Sequence, residues 1–235
     1  ELHLTSGLVG LIFSLLVFFN IINGRVFLKT PFEKKVIVGG LLGLIGTGLV
    51  FWKDLSNFSF TDSKIIGLCF AIAGTYIASL GNITSARNQN AGIPVIQSNA
   101  FGMIYGACAM FLVGSILGKE VSFVVSQSYI LSLLYLSVFG SIIAFGAYMT
   151  LIGNIGASKA AYVSLLGPVI ALTISTFLED YQWTAISLTG AIMILIGNVV
   201  ALRSSKKKKE SFPRVPEMKV PVEVLEDNLP DGLTD

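Results

Sequence analysis

The sequence has few charged residues, and most of its length carries none. Of its 235 residues 13% are charged and 53% are hydrophobic. A typical soluble domain has about 25% charged residues, and a single water-soluble core cannot bury so much apolar surface. The composition therefore excludes a soluble globular protein and predicts an all-α integral membrane protein. Its uncharged runs, each a candidate crossing, are residues 5–24, 36–52, 65–86, 93–117, 129–153, 160–178 and 181–202.

Residue types that bind metals or carry out covalent chemistry are also scarce. The sequence has one histidine, His3, and two cysteines, Cys69 and Cys108, which both lie inside uncharged runs. Isolated thiols at membrane depth are expected to be packing residues without a disulfide. No HExxH, CxxC or phosphate-binding glycine loop is present. The sequence therefore predicts no enzyme, no catalytic residues, no metal site and no cofactor.

Acidic and basic side chains are missing from the interior of every predicted crossing. Such residues at depth usually mark proton relays or ion paths. Their absence leaves two alternatives for energy coupling: transport is uncoupled, or the coupling group lies outside these seven runs. It also excludes a retinal receptor, because residues 181–202 contain no lysine to form a Schiff base.

The lengths of the runs predict seven membrane crossings. A hydrocarbon core about 30 Å thick needs about 20 residues of helix. Runs 160–178 and 181–202 are separated only by Glu179 and Asp180, so they form a tight transmembrane hairpin. The stretch 6–52 repeats the plan of 157–202. Equivalent pairs are Ser14 and Ser164, Leu15 and Leu165, Gly39 and Gly190, and Gly46 and Gly197.

This repeat predicts two copies of opposite orientation. Equivalent helices are five crossings apart, and an odd number of crossings turns the second copy upside down in the membrane. Inverted repeats with a binding site at their interface are typical of secondary transporters. The expected mechanism is alternating access, in which the two copies rock around a site near the middle of the bilayer.

The distribution of lysine and arginine predicts a cytoplasmic C-terminus and an external Glu1. Three basic residues, Lys53, Lys64 and Lys119, fall on the opposite side. The cytoplasmic side receives eleven, namely Arg25, Lys29, Lys34, Lys35, Arg87, Lys159, Arg203 and Lys206–Lys209. The cluster Lys206–Lys209 is either a stop-transfer anchor or a site for anionic lipid. The proline-rich and acidic tail, 203–235, is predicted to be disordered.

The last hairpin resembles the EamA domain of the drug/metabolite transporter superfamily. The residues that carry the resemblance are Ser164, Leu165, Pro168, Val169, Ala171, Phe177, Leu178, Glu179, Gly190, Ile194, Gly197, Asn198 and Ala201. The resemblance implies ten helices in two repeats, of which the seven crossings here are helices four to ten, with three further helices before Glu1. It divides the chain into the end of a first repeat (1–52), a second repeat (64–202) and the tail. The first hairpin departs from the pattern, with Val17 and Phe18 near the position of Pro168.

Uncharged polar residues fall on faces of the predicted helices. Thr75, Ser79 and Asn82 follow i, i+4, i+7 spacing and therefore share one stripe. Two interpretations stay open: a polar cavity that binds substrate, or hydrogen bonds that hold helices together. The bend expected at Gly167 and Pro168 is either a gating hinge or static. The predicted substrate-binding residues are Asn20, Asn23, Tyr76, Ser79, Asn82, Gln97, Asn99, Tyr105, Tyr148, Tyr162 and Ser164.

Together these patterns predict an exporter of small organic metabolites in an inner membrane, and the resemblance implies amino-acid-like solutes. One alternative is a carrier of nucleotide sugars or phosphorylated metabolites, which would need basic residues in the cavity. Another is a non-transporting membrane scaffold. The expected partners are a small-molecule substrate and the lipid bilayer, with no nucleic acid, and a homodimer is left open.

Overall fold

The computed structural model describes residues 4–56, 62–118, 126–178 and 182–203, and most residues in these ranges are helical. The predicted tail after Arg203, with Lys206–Lys209, lies outside them, as do His3, Glu179 and Asp180. The helices are α1 (Ser6–Phe13), α2 (Leu16–Leu28), α3 (Lys34–Val50), α4 (Trp52–Ser56), α5 (Asp62–Asn90), α6 (Val95–Ile116), α7 (Gln127–Tyr135), a π-helical stretch (Leu136–Ala144), α8 (Phe145–Ile155), α9 (Ala157–Ala160), α10 (Tyr162–Leu178) and α11 (Ala185–Leu202).

Within the described residues, six segments are long and apolar enough to cross a membrane. They are Gly7–Leu28, Lys64–Asn90, Val95–Ile116, Gln127–Ile155, Ala157–Leu178 and Ala185–Leu202. The one predicted crossing not among these six is the second, which corresponds to α3, whose 17 residues span about 26 Å at 1.5 Å per residue. The prediction of an all-α integral membrane protein is confirmed.

Two predicted crossings are divided by a break, which the uninterrupted apolar runs did not indicate. The first run is split between α1 and α2, where the Ser14 hydroxyl donates to the Leu11 carbonyl at 2.5 Å. The sixth run is split between α9 and α10, where the Ser164 hydroxyl donates to the Ala161 carbonyl at 2.6 Å. Such local bonds compete with the backbone ladder of a helix. Both serines occupy the same position in the predicted repeat.

The fifth predicted crossing contains nine π-helical residues between α7 and α8. A π-helix closes i to i+5 bonds and therefore widens the helix locally. Neither α7 nor this stretch contains a buried residue, and the same holds for α6. These elements thus present broad apolar surfaces away from the packed part of the fold.

Helices α3 and α11 approach each other to backbone contact through glycines. A Cβ built on Gly39 would lie 2.5 Å from the Gly197 carbonyl oxygen, and one on Gly197 would lie 2.6 Å from the Gly39 oxygen. Gly46 and Gly190 repeat this relationship at 2.6 and 2.5 Å. Only residues without side chains permit such close backbone approach in a membrane bundle.

The glycines of α6 do not make a comparable contact between helices. Gly102, Gly106 and Gly114 in α6 have no neighbour within 4 Å of a built Cβ. The difference arises because α6 lies at the exposed side of the described structure, whereas α3 is packed against α11.

Two buried apolar clusters flank the helices that carry the polar residues. The first joins α2, α3, α10 and α11 and includes Val17, Tyr162, Leu165 and Ile194. The second joins α5, α8 and α9. Its buried members are Ile83, Ala86, Met149, Ile152, Ala157 and Ala160. The contact surfaces of α2 with α5 and of α5 with α8 carry buried polar side chains, among them Asn23, Ser79 and Asn82.

Candidate functional site

A polar stripe on α5 faces its neighbours, as its spacing predicts. Thr75, Ser79 and Asn82 are all at most 4% exposed. Thr75 donates to the Ala71 carbonyl of its own helix at 2.8 Å, so it turns its hydroxyl back to the backbone. Ser79 and Asn82 instead make hydrogen bonds to other helices.

These interhelical bonds join α2, α5 and α8. Asn23 of α2 donates from Nδ2 to the Ser79 hydroxyl at 2.9 Å. One turn further along α5, Asn82 donates from Nδ2 to the Tyr148 hydroxyl at 3.0 Å. The first bond joins residues that are 56 positions apart in the sequence, and the second joins residues that are 66 positions apart. Uncharged groups thus connect three helices.

Asn20 extends the polar contact from α2 to α9. Its side chain is 0% exposed, and Nδ2 donates to the Ala157 carbonyl at 2.9 Å. Its Oδ1 is buried and has no hydrogen-bond partner among the described residues. A buried acceptor without a partner costs about 1–3 kcal/mol, so this oxygen requires an explanation. We call Asn20, Asn23, Ser79, Asn82 and Tyr148 the polar seam.

Further polar residues prolong the stripe beyond the end that the sequence predicted for this helix. Gln89 lies seven residues after Asn82 and donates to the Met149 carbonyl at 2.8 Å. Asn88 donates to the Ser98 hydroxyl of α6 at 2.9 Å. The seven-residue spacing from Asn82 to Gln89 is the sequence pattern that could have identified Gln89 as part of the stripe. The uncharged run ends before Arg87 and so excludes Gln89 from the predicted crossing, whereas α5 continues to Asn90.

The polar residues predicted on α6 are not brought into the seam. Gln97 is exposed, Asn99 is half-buried, and Tyr105 is 69% exposed, with its ring tilted against Phe101. Tyr76 on α5 is 41% exposed and meets Phe19 edge-on, with ring centroids 5.5 Å apart. None of the hydrogen bonds of the seam involves these four residues.

Tyr162 and Ser164 lie apart from the seam, at the start of α10. Tyr162 is 1% exposed and donates its hydroxyl to the Val36 carbonyl of α3. Ser164 is bonded to its own backbone, as described above. Nearby, Lys159 of α9 forms an ion pair with Glu33 at 3.1 Å. These contacts attach α9 and the start of α10 to the beginning of α3.

The predicted hinge residues lie in α10. Pro168 is inside the helix, where its ring nitrogen has no proton to donate to the Ser164 carbonyl one turn back. Gly167 is exposed, and a built Cβ would have no neighbour within 4 Å. The helix therefore has one weakened turn with free space on one side.

Asn198, which was left out of the predicted site, is buried in α11. Its Nδ2 donates to the Ile194 carbonyl of the same helix at 3.0 Å. Thr47 of α3, which the predicted repeat makes its equivalent, donates to the Gly43 carbonyl at 2.8 Å. Both side chains satisfy their donors inside their own helix and do not join the seam.

Comparison with known proteins identifies the family. The model of the EamA-like transporter family matches residues 65–203. A probable amino-acid metabolite efflux pump of Escherichia coli (strain K12) is 26% identical over 214 residues, covering 87% of this chain and 71% of that protein. The uncharacterized inner membrane transporter YedA of the same strain is 25% identical over 201 residues, covering 83% of this chain and 62% of that protein.

The fold agrees with this relationship. A solved crystal structure superposes on the chain with a TM-score of 0.70 at 18% identity, covering 85% of this chain and 68% of the other. The family match extends over more than half of the chain, from the start of α5 to the end of α11. The protein is therefore a multi-pass membrane transporter that belongs to the EamA-like transporter family, within the drug/metabolite transporter superfamily.

Proposed function

We propose that the protein exports small, uncharged or zwitterionic metabolites of the amino-acid type across the inner membrane, without covalent chemistry. The observation that carries this proposal is the polar seam, in which neutral groups from α2, α5, α8 and α9 meet inside a helical membrane protein. Such groups bind solutes by hydrogen bonds and do not demand a net charge. The name of the Escherichia coli relative, an amino-acid metabolite efflux pump, supports the same solute class.

The proposed mechanism is alternating access by two inverted repeats. If Gly39 is equivalent to Gly190 and Gly46 to Gly197, the repeat operation converts the Gly39–Gly197 contact into a Gly190–Gly46 contact. Both contacts are present with matching distances. The paired serines Ser14 and Ser164 support the same equivalence, since each donates to the carbonyl three residues earlier. The repeat boundaries at 1–52 and 64–202 and the cytoplasmic C-terminus are part of this proposal.

The seam also favours neutral solutes over phosphorylated ones. A carrier of nucleotide sugars or phosphorylated metabolites needs Lys or Arg at the substrate. The seam's five residues are three amides, a serine and a tyrosine. The remaining predicted site residues, an anionic-lipid site at Lys206–Lys209 and a homodimer stay predictions.

The test is counterflow of labelled solutes in proteoliposomes. We expect exchange of one or more neutral amino acids and none of nucleotide sugars or sugar phosphates. Asn82→Leu, which removes the amide at the centre of the seam, should reduce exchange at least tenfold. The control is Asn154→Leu, the same substitution at an exposed position of α8.

Two outcomes would contradict the proposal. Exchange of phosphorylated solutes alone would favour the other carrier class. No exchange of any tested metabolite by correctly folded protein would favour a scaffold.

A further inference from the structure

The unpaired Oδ1 of Asn20 is a feature that interhelical packing does not account for. Among the described residues, the other side-chain nitrogen and oxygen atoms that are buried as deeply all have a hydrogen-bond partner. Asn20 itself lies in α2 between α5 and α9, and its other amide atom is well bonded. Native proteins rarely leave such an atom unpaired without a functional reason.

The identity of the unpaired atom is fixed by the bond on the other side of the amide. The atom 2.9 Å from the Ala157 carbonyl oxygen must be a donor, because two oxygens at that distance would repel. Rotating the amide by half a turn would create that repulsion, so Nδ2 faces Ala157 and Oδ1 faces away. The group without a partner is therefore an acceptor, and it requires an N–H or O–H donor.

The other members of the polar seam carry no charge. Two of them, Asn23 and Ser79, are bonded to each other. An ammonium group forms stronger hydrogen bonds to a carbonyl oxygen than a neutral donor does. Among solutes of the amino-acid type, the ammonium group is therefore the donor that this acceptor would bind most strongly.

We propose that Asn20 Oδ1 accepts a hydrogen bond from the ammonium group of the transported solute, and that this contact makes the protein discriminate against analogues without an amino group. The inference rests on the proposed function and adds the atom that recognises the amine. Asn20 is the specificity-determining residue, whereas Asn82 and Tyr148 form another part of the seam.

Asn20 is 0% exposed, so a solute reaches it only when the packing around it, which includes the short helix α9, opens. The Ala157–Ala160 segment is four residues long and follows Gly156, whose φ of 86° lies in the region that favours glycine. It is held to the rest of the fold by the Asn20–Ala157 bond and the Lys159–Glu33 ion pair. The Asn20–Ala157 bond occupies Nδ2, so Oδ1 is the amide atom left to bind the solute.

The experiment compares an aliphatic amino acid with its desamino carboxylic acid as counterflow substrates in proteoliposomes. Wild-type protein should prefer the amino acid by roughly tenfold or more, the value of one charge-assisted hydrogen bond. Asn20→Leu should bring this preference to within about threefold of unity. Asn20→Ala, a smaller change, tests the same point if the leucine variant does not fold. Asn154→Leu on the exposed face of α8 should keep the full preference.

The outcomes separate the inference from the proposed function. If wild-type protein exchanges amino acids but Asn20→Leu and Asn20→Ala keep the preference, the role of Asn20 is overturned and the proposed function stands. Equal exchange of both solutes by wild-type protein has the same meaning. If wild-type protein exchanges neither these nor any other metabolite, the proposed function fails, and the inference fails with it.

Discussion

Gly39 and Gly197 face each other so closely that a Cβ on either would lie within 2.6 Å of the other's carbonyl oxygen. Gly46 and Gly190 form the matching contact, one spacing of seven residues along each helix. These four glycines hold α3 and α11 at backbone contact, and a methyl group on any of them would meet backbone atoms that cannot rotate away.

The first prediction concerns this contact. Gly39→Ala should destabilise the protein by about 1–3 kcal/mol, the usual cost of overpacking, and lower its melting temperature by about 3–10 °C in detergent. Gly197→Ala should have a similar effect, because the contact is reciprocal. Gly106→Ala in α6, where a Cβ would have no neighbour within 4 Å, should leave the melting temperature unchanged or slightly raised. Equal losses in all three variants would show that the contact has no special role.

A second prediction concerns Gly43 and Leu165. A Cβ on Gly43 would lie 2.5 Å from Cδ1 of Leu165, a side chain that is 1% exposed. Gly43→Ala alone should therefore cost about 1–3 kcal/mol. Leu165→Val removes the atom in the way, so the double variant should be more stable than the sum of the two single losses predicts. Additive losses in thermal unfolding would contradict the contact.

A third prediction concerns the bond between Asn82 and Tyr148. Tyr148→Phe should destabilise the protein because it leaves the Asn82 amide without its interhelical acceptor. Asn82→Leu in the Tyr148→Phe background should cost less than it does alone, with a coupling of about 0.5–1.5 kcal/mol. The measurement is a double-mutant cycle on unfolding free energies. Zero coupling would mean that the two side chains do not interact in the bilayer.

The fourth prediction concerns the weakened turn in α10. Pro168→Ala restores a backbone donor for the Ser164 carbonyl, so it should raise the melting temperature. If the bend serves as a hinge, the exchange rate should fall several-fold in the same variant. Gly167→Ala keeps the proline and adds only a methyl group in open space, so it should change exchange less. Unchanged exchange in Pro168→Ala would identify the bend as static.

Hydropathy alone was sufficient to predict the class of the protein and the position of most helices. Apolar runs of about 20 residues are explained by the thickness of the bilayer, whatever their partners in the fold. The buried stripe of Ser79 and Asn82 was also predictable, since helical spacing places these residues on one face. The breaks after Phe13 and Ala160 were not, because a serine bond to a nearby carbonyl leaves no mark in an apolar run.

The structure brings only some of the predicted site residues together, because spacing along a helix does not identify the helix that packs against it. Gln97 and Tyr105 resemble Asn82 and Tyr148 in residue type and in setting, yet they lie on the exposed side of the described structure. A polar residue on a membrane helix reveals that it needs a partner, but its spacing does not say which helix supplies one. Gln89 illustrates the converse error, because it lies beyond a charged residue and still reaches the backbone of α8.

The sequence by itself determined that the chain crosses a membrane many times, and it predicts that basic residues lie mainly on one side and that two stretches repeat one plan. These properties follow from the transfer of side chains between water and lipid, which each segment experiences separately. Tertiary structure alone decided which glycines meet, which amides bond across helices, and that one oxygen of Asn20 stays unpaired. Those features depend on the distances between atoms more than 50 residues apart in the chain, which packing fixes and local hydropathy does not.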